Sequence, residues 1–361
     1  MGGARKARPI LKADMLYFAL LLGAGFVLGT IRTLWIAPRL GTRMSELIET
    51  PIAENLLRWK GHFMTASNSG FLRWAGTLIV LFLFSPVLAQ QDSLVRVIAF
   101  GAHPDDCDLS AGGVAAKYAA LGYKVKFVSL TNGDAGHQSQ SGETLAARRR
   151  AEAKEAGRRI GIEYDVLDNH DGELLPTLAV RQQVIRKIRE WQADIVLAPR
   201  PNDYHPDHRY TGILVQDASY MVTVPDIVPN TPALRKNPVF LYFSDRFARP
   251  LPFRPDIVVS IDDVYGKKID MLDAHVSQFY EWLPWHDGQL DQVPKDPAER
   301  KKWLASNLSR SNPPEWREAL QKRYGSEAAH IVHAEAFEIT EYGRQPDEDE
   351  IRKLFPFFPA R

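Results

Sequence analysis

The feature that most constrains the fold is an alternation, from Leu94 onward, of short apolar runs with longer segments of helical period. Short apolar runs are typical of buried strands, and an apolar stripe of helical spacing is typical of helices. The predicted strands span residues 95–101, 124–130, 164–167, 194–197, 237–244, 256–261 and 334–339. The predicted helices span residues 109–121, 143–160, 178–192 and 264–280, and residues 297–324 are a predicted helical region. This series predicts an α/β fold, Rossmann-like and doubly wound, in which a mostly parallel sheet carries helices on both faces.

The loop after the first predicted strand carries a dense cluster of metal-binding side chains. The motif AHPDDCD, residues 102–108, contains one histidine and three carboxylates. His103 and Asp106 are separated by two residues, so a turn can place an imidazole nitrogen and a carboxylate oxygen on one divalent cation. Asp105 is adjacent to a ligand without being needed as one. It can therefore act as a general base that takes a proton from water.

A second cluster, NDYHPDHR at residues 202–209, follows the predicted strand at residues 194–197. Because ligands of an open α/β sheet bind at the carboxyl ends of its strands, we expect both clusters to converge on one site. His208 can supply a third metal ligand, and three nitrogen and oxygen ligands leave a coordination position open, as in catalytic zinc sites. His205 can donate to a developing oxyanion or protonate a leaving amine, and Asp207 can fix the charge state of His205 or His208.

Both motifs resemble those of the PIG-L/LmbE family of zinc-dependent N-deacetylases, which carry (A/P)HPDD after the first strand and HPDH after a later one. Here AHPDD and HPDH both stand unbroken. The resemblance covers roughly residues 95–340 and implies an LmbE-like fold. It also implies that His103, Asp106 and His208 hold the metal.

By the same resemblance, Asp105 is the general base, and His205 assists the oxyanion and the leaving group. The family usually has a glutamate one or two positions after HPDD, where this chain has Cys107 and Asp108. A chain with one cysteine cannot form an intramolecular disulfide. We interpret Cys107 as a small buried residue rather than as a ligand or a nucleophile.

These residues predict a metal-dependent hydrolase that removes an N-acyl (acetyl) group from an amino sugar or sugar conjugate. The predicted cofactor is Zn²⁺, and Fe²⁺ or another divalent ion suits the same ligands. Two alternatives stay open, namely an amidase acting on another sugar-conjugate amide and a non-catalytic, membrane-tethered carbohydrate-binding protein. The spare carboxylate of Asp105 argues against the second, because a binding module has no need of a base.

The resemblance also implies substrate contacts. In the family, an arginine of an R-x-x-E stretch and an acidic residue of a D-G loop contact the sugar, and the matching positions are Arg149 and Asp171. Each has a structural alternative, because Arg149 lies in a charged helical run and Asp171 can open a turn before Gly172. Tyr204 and His275 are further candidates for substrate contact.

Residues 273–288, which resemble a family stretch at the rim of the site, are rich in aromatic side chains. Aromatic rings can stack on sugar rings, and they also form cores and oligomer contacts. The residues concerned are Phe279, Tyr280, Trp282 and Trp285.

Composition excludes other classes of partner. The chain has 45 Lys and Arg residues against 44 Asp and Glu residues, so it lacks the basic excess of a nucleic-acid-binding protein. Gly112 and Gly113 do not have the GxGxxG spacing of a dinucleotide site. We therefore predict a small-molecule substrate and neither a nucleic-acid partner nor a nicotinamide cofactor.

Two uncharged apolar stretches, residues 15–31 and 74–91, precede the predicted catalytic domain. The second has Arg73 in front of it, Pro86 near its end and small residues before Gln90, which is typical of a secretory signal. The alternative is two transmembrane helices. Basic residues on both sides of the first stretch would then conflict with the positive-inside rule.

We therefore predict that the catalytic domain is exported to the periplasm or the cell exterior, or is anchored in a membrane with that domain outside. The predicted organisation is a membrane segment or over-extended start at residues 1–63, a signal peptide or anchor at 64–91, a deacetylase domain at 92–345 and a tail at 346–361.

Overall fold

The computed structural model describes residues 94–309 and 312–359. Within them, one sheet has the strand order β3-β2-β1-β4-β5-β7-β6. Strands β1 to β5 are parallel, and β7 runs antiparallel to β5 and β6. The strands are β1 (Arg96–Gly101), β2 (Lys124–Thr131), β3 (Glu163–Asn169), β4 (Ile195–Ala198), β5 (Val239–Phe243), β6 (Ile257–Ser260) and β7 (Ala334–Gly343). The predicted mostly parallel α/β fold is confirmed.

Helices connect the strands and cover the sheet. A π-helix, Ser277–Trp282, and short 3₁₀ turns lie between some of the later elements. The α-helices are α1 (Asp106–Ala120), α2 (Gly142–Ile160), α3 (Leu178–Trp191), α4 (Pro206–Met221), α5 (Tyr265–Leu272), α6 (Leu283–His286), α7 (Pro297–Leu308), α8 (Arg317–Tyr324) and α9 (Glu348–Leu354).

The sheet is buried on both faces, as parallel sheets usually are. Successive side chains of a strand point to opposite faces, so Val97 and Ala99 of β1 pack into one core with α1, α2 and α9. Ile98 and Phe100 pack into the second core with α3 and α4. The continuous apolar run of β1 is therefore explained by burial on both sides.

The strand order reverses between β1 and β4. From β1 the chain continues to β2 and β3 on one side, and from β4 it continues to β5 on the other. Ligand sites of doubly wound folds lie at such a switch point, outside the carboxyl ends of the strands. The two histidine motifs follow the two strands concerned and so face one another.

One predicted helix boundary was wrong, because the predicted helix at residues 264–280 ends as α5 at Leu272. The predicted helical region at 297–324 contains α7 and α8, with Pro313 and Pro314 between them. Helix α4 was not predicted. The predicted tail contains α9, where the side chain of Leu354 is buried and its carbonyl accepts a 2.7 Å hydrogen bond from Tyr118.

The two apolar stretches at residues 15–31 and 74–91 lie outside the described residues, so the signal, anchor and export predictions stay predictions. In the part of the chain that the structure describes, no helix combines the length and the apolar character needed to cross a bilayer.

Candidate metal centre and active site

The loops after β1 and β4 each turn directly into a helix. Asp106 is the first residue of α1, and its Oδ2 accepts hydrogen bonds of 2.8 Å from the backbone N–H groups of Ala102 and His103. Gly101 permits this tight turn, because a Cβ at that position would lie 2.8 Å from the Cβ of Asp106. On the other side, His205 caps the N-terminus of α4.

The three predicted metal ligands meet in a triangle of donor atoms. His103 Nδ1 lies 3.3 Å from His208 Nε2, and Asp106 Oδ2 lies 3.5 Å from each of these nitrogens. Donors bound at about 2.0–2.1 Å to a tetrahedral zinc ion lie about 3.3 Å from one another. The spacing of these side chains therefore fits a divalent cation.

Outer carboxylates lie beside both histidine rings. The Nδ1 atom of His208 lies 3.0 Å from Asp203 Oδ1. The Nε2 atom of His103 lies 3.0 Å from Asp171 Oδ1 and 3.4 Å from Asp207 Oδ2. A histidine that binds a metal through one nitrogen generally donates the other N–H to a carboxylate, as the ring of His208 is placed to do with Asp203. The site thus has both the donor atoms that can bind a cation and the outer carboxylates that lie against the donor rings.

The charge around the triangle also favours a cation. Burial lowers the pKa of His103, but Asp106, Asp171 and Asp207 raise it more, so that it lies well above its usual value. Burial likewise lowers the pKa of His208, and Asp106 and Asp203 raise it above the usual value. The surrounding carboxylates therefore stabilise positive charge at this position.

Two other donor sets lie within reach of an ion, His103 with His205 and His208, and His103 with Asp171 and Asp207. The second set approaches the opposite nitrogen of His103. That set contains a single imidazole, whereas the triangle with Asp106 joins the imidazoles of both His103 and His208. The triangle that includes Asp106 is therefore the candidate metal site with the donor types that zinc prefers.

Asp105 lies beside the triangle and is only 3% exposed. Its Oδ1 is buried and has no hydrogen-bond partner among the described residues. Burial and the adjacent Asp106 raise its pKa to about 6. A carboxylate with this pKa can take up a proton and release it near neutral pH, which suits a general base.

The ring of His205 lies beside that of His103, with the two ring centroids 4.7 Å apart. Its Nδ1 accepts a 3.2 Å hydrogen bond from the backbone N–H of Asp207, so in the neutral ring the proton is on Nε2. Burial, together with His103 and His208, lowers the pKa of His205. His205 is therefore a neutral donor at this site.

The side chain of Asp207 is fully buried, accepts hydrogen bonds from the backbone of residues 172 and 174 and lies 3.4 Å from His103 Nε2. Its backbone N–H donates to Nδ1 of His205, so Asp207 also takes part in fixing the tautomer of that ring. The carboxylate that orients His208 is Asp203, which the sequence analysis missed. Its presence in NDYHPDHR, five residues before His208, was the available signal.

Arg149 and Asp171 lie next to each other at the metal triangle. Arg149 is 3% exposed, so it does not belong to a solvated helix face. One of its nitrogens lies 3.9 Å from Asp171 Oδ2, and it also donates to the carbonyl of Gly136 and to the side chain of Gln278. Burial raises the pKa of Asp171, but His103 and Arg149 lower it more, so the carboxylate stays charged.

Tyr204 and His275 occupy opposite environments. Tyr204 is 73% exposed, and its ring lies 5.5 Å from that of His208, so it can contact a substrate at the rim. His275 is 1% exposed and bonds to the buried Asp108, which leaves no room for a substrate on its ring. The predicted substrate contact of His275 therefore has no surface to act on.

The aromatic side chains of residues 273–288 also differ in their exposure. Phe279 and Tyr280 are buried in a small core with Leu272 and Leu304, whereas the rings of Trp282 and Trp285 stack on each other 5.4 Å apart. Only the tryptophan pair is available to a ligand.

Cys107 is fully buried, and burial raises the pKa of its thiol well above the usual value. The thiol therefore stays neutral and is neither a nucleophile nor a ligand.

Over 223 residues the chain is 32% identical to the diacetylchitobiose deacetylase of Thermococcus kodakarensis, a match that covers 56% of this chain and 80% of that relative. The family model of PIG-L, described as GlcNAc-PI de-N-acetylase, matches residues 98–219. The chain belongs to the PIG-L family. The matched PIG-L region includes every residue of the metal triangle.

The PIG-L fold is also seen in the solved structure of N,N'-diacetylchitobiose deacetylase from Pyrococcus horikoshii. The match has a TM-score of 0.52 and 23% identity, and it covers 76% of this chain and 94% of the Pyrococcus horikoshii chain. A second relative, the 4-oxalmesaconate hydratase of Pseudomonas putida, is 26% identical over 201 residues, which are 54% of this chain and 76% of the relative.

Proposed function

We propose that this PIG-L protein is a divalent-metal-dependent N-deacetylase that removes the acetyl group from an N-acetylated amino sugar in an oligosaccharide or glycoconjugate. The observation that carries the proposal is the triangle of His103, Asp106 and His208 donors. Beside it lies Asp105, a buried carboxylate that is free to act as a base.

The cation we propose is Zn²⁺, because two imidazole nitrogens and one carboxylate oxygen suit it, although Fe²⁺ fits the same donors. His103, Asp106 and His208 would hold it. When bound, the cation supplies Lewis acidity, which lowers the pKa of water and polarises the acyl carbonyl.

In the proposed reaction, side chains of the protein handle the protons. Asp105 accepts a proton from the attacking water. His205 donates a hydrogen bond from its Nε2–H to the carbonyl oxygen as that oxygen gains charge. The C–N bond of the amide then breaks, and the nitrogen leaves as an amine after it receives the proton held by Asp105. The products are acetate and the free amino sugar.

The similarity to the Thermococcus kodakarensis diacetylchitobiose deacetylase supports a sugar acetamide as substrate. Asp171 and Arg149 lie beside the metal triangle, and Tyr204 is exposed at its rim. We propose that Asp171 and Tyr204 contact sugar hydroxyl groups next to the acetamide, and that the buried Arg149 holds Asp171 in place.

The experiment is amine release by the Zn²⁺-loaded, full-length protein from N,N'-diacetylchitobiose. We expect equal amounts of acetate and primary amine. Asp105→Asn should lower kcat by about 10²–10⁴-fold, the usual contribution of a general base, while the protein keeps its metal. The matched control is Asp168→Asn, whose side chain is 79% exposed. Undiminished turnover in Asp105→Asn would exclude the proposed base.

A hydratase is the second candidate, because one of the relatives is named as such. Hydration also needs a base and an activated water, so Asp105 and the triangle would serve it equally. A protein that releases no amine from any N-acetylated sugar but adds water to 4-oxalmesaconate would be assigned to this candidate.

We also propose that the catalytic domain is exported, which the signal-like stretch at residues 74–91 supports. Cell fractionation with N-terminal sequencing of the isolated protein tests this. A catalytic domain found in the cytosol with an uncleaved amino terminus would contradict export.

A further inference from the structure

A pair of tryptophans lies on the surface of the segment that follows α5. The rings of Trp282 and Trp285 stack 5.4 Å apart, with their planes 22° from parallel. Trp285 is 48% exposed, more than any other tryptophan among the residues that the structure describes. Because Trp282 packs against the Trp285 ring, that ring is held in one orientation while part of its apolar surface meets water.

The tryptophan pair shares a helix face with residues nearer the candidate active site. Residues 278, 281, 282 and 285 follow the three- and four-residue spacing that places side chains on one side of a helix. All four are at least partly exposed, whereas Phe279, Tyr280 and Pro284 are buried. This outer face therefore runs from Gln278 to Trp285.

Gln278 joins the outer face to the candidate active site. Its side chain accepts a hydrogen bond from Arg149. One nitrogen of Arg149 lies 3.9 Å from Asp171 Oδ2, and Asp171 Oδ1 lies 3.0 Å from Nε2 of His103. From Gln278 the outer face continues to Trp285 over about 10 Å of helix. That length is within the span of a short oligosaccharide whose reacting ring contacts Asp171.

Polar groups lie beside the tryptophans on the outer face. Arg148 donates hydrogen bonds of 2.7 and 2.6 Å to Glu281, and both side chains are partly exposed. The Nε2 atom of His137 lies 2.9 Å from the same carboxylate. His137 follows Gly136, where a Cβ would lie 3.1 Å from Asp171 Oδ2. The loop after β2 therefore contacts both Asp171 and the outer face, which fixes the outer face relative to the site.

A sugar is the ligand whose chemistry matches this surface. A pyranose ring has an apolar face of C–H groups and an edge of hydroxyl groups, so an aromatic ring with a few polar groups beside it suits both. Here the ring is that of Trp285, and the polar groups are those of Glu281 and Arg148. The outer face also begins in a π-helix, a rare element that is frequent at functional sites. The position and the chemistry of the surface thus both indicate a carbohydrate subsite.

We propose that Trp285, backed by Trp282, stacks on a sugar ring of the substrate beyond the ring whose acetamide is cleaved. The protein then acts on N-acetylated oligosaccharides in preference to N-acetylglucosamine. The inference rests on the proposed function for the identity of the reacting ring, whereas the stacking contact is a binding event that can be measured without turnover. Trp285 is a specificity-determining residue and takes no part in the chemistry.

Sugars of different length test the subsite. The Zn²⁺-loaded, full-length protein is assayed for amine release from N-acetylglucosamine and from triacetylchitotriose. In Trp285→Leu, we expect kcat/KM for the trisaccharide to fall by about five- to tenfold, the usual contribution of an aromatic stacking contact, while kcat/KM for the monosaccharide stays within about twofold. The loss should appear in KM, because stacking holds the bound substrate and the transition state equally. Trp285→Tyr, which keeps a flat ring, should lose less than Trp285→Leu.

The matched control is Tyr220→Leu. Tyr220 is also an exposed aromatic residue, at 70%, but it lies near the end of α4 that is remote from His208. We expect wild-type kcat and KM for both sugars. Equal losses on the two sugars in Trp285→Leu, or no loss on the trisaccharide, would overturn the proposal.

Binding without turnover separates the subsite from the proposed function. In full-length Asp105→Asn, calorimetry should show that triacetylchitotriose binds, and the additional change Trp285→Leu should weaken the affinity by about five- to tenfold. An affinity that Trp285→Leu does not change, or an absence of binding, would refute the stacking contact. If the wild type released no amine from either sugar while this binding depended on Trp285, the proposed function would fail and the subsite would stand.

Discussion

The Nδ1 atom of His208 lies 3.0 Å from Oδ1 of Asp203, a residue of the same loop that also accepts a 2.9 Å hydrogen bond from the backbone N–H of His205. The carboxylate of Asp203 therefore fixes both the conformation of this loop and the orientation of the His208 ring. The ring then presents Nε2 to His103 and Asp106.

We expect Asp203→Ala to lower the affinity for Zn²⁺ by about 10–100-fold, as is usual when the outer carboxylate of a metal-binding histidine is removed. Competition with a fluorescent chelator measures this directly. Asp168→Asn is the control, because Asp168 is exposed and does not contact the triangle. An unchanged affinity in Asp203→Ala would show that the ring is held without Asp203.

Removal of the metal should abolish amine release, and added Zn²⁺ should restore it. Asp105→Ala should keep about one metal ion per chain and lose turnover, whereas His208→Ala should lose both, because only His208 belongs to the triangle. Elemental analysis beside the amine assay tests this. Equal metal loss in the two variants would contradict the assigned roles.

Arg189 should contribute strongly to stability. Its guanidinium is fully buried without a paired carboxylate among the described residues, and it donates to backbone carbonyls that close the loop after α4. The acceptors are Met221, Val222, Val224, Ile227, Val228 and Thr231.

Arg189→Met leaves these carbonyls without their donor, so we expect the free energy of unfolding to fall by about 3 kcal/mol or more. Urea unfolding measures this, with the half-buried Arg186→Met as control. The metal affinity of the folded protein should not change. A loss below about 1 kcal/mol would mean that water replaces the guanidinium.

The pairing of Glu281 should make stability depend on pH. Arg148 binds this carboxylate through two hydrogen bonds of 2.7 and 2.6 Å, and His137 lies 2.9 Å away. Arg148 lowers the pKa of Glu281. Burial opposes this with a smaller effect, and His137 lowers the pKa further.

Because the folded pKa of Glu281 is depressed, its stabilisation is present above the unfolded value of about 4.3 and is lost as the pH falls through the folded value. We expect Glu281→Gln to cost about 1 kcal/mol at pH 7, and the difference from wild type to shrink below about pH 4. Chemical unfolding across this range measures it. A difference that stays constant with pH would mean that the charge of Glu281 is unimportant.

Local patterns were reliable guides where the structure depends on neighbouring residues. The apolar run of β1 predicted its strand, and the spacing of His103 and Asp106 predicted a turn that brings their side chains together, because a strand and a turn depend on nearby residues. Helix α4 was missed because its apolar residues form no clear stripe. Gly212, inside it, packs against the carbonyl of Pro199, and a Cβ there would lie 2.7 Å from that oxygen.

By itself, the sequence determined which residue types stand at the ends of β1 and β4, and therefore the chemistry available to the site. Only the tertiary structure decided which carboxylate serves which histidine: Asp171 approaches His103, and Asp108 pairs with His275 from 167 positions away. The physical reason is that a carboxylate and an imidazole are brought together by strand order and helix packing. That long-range geometry leaves no spacing in the sequence from which the pairs could be predicted.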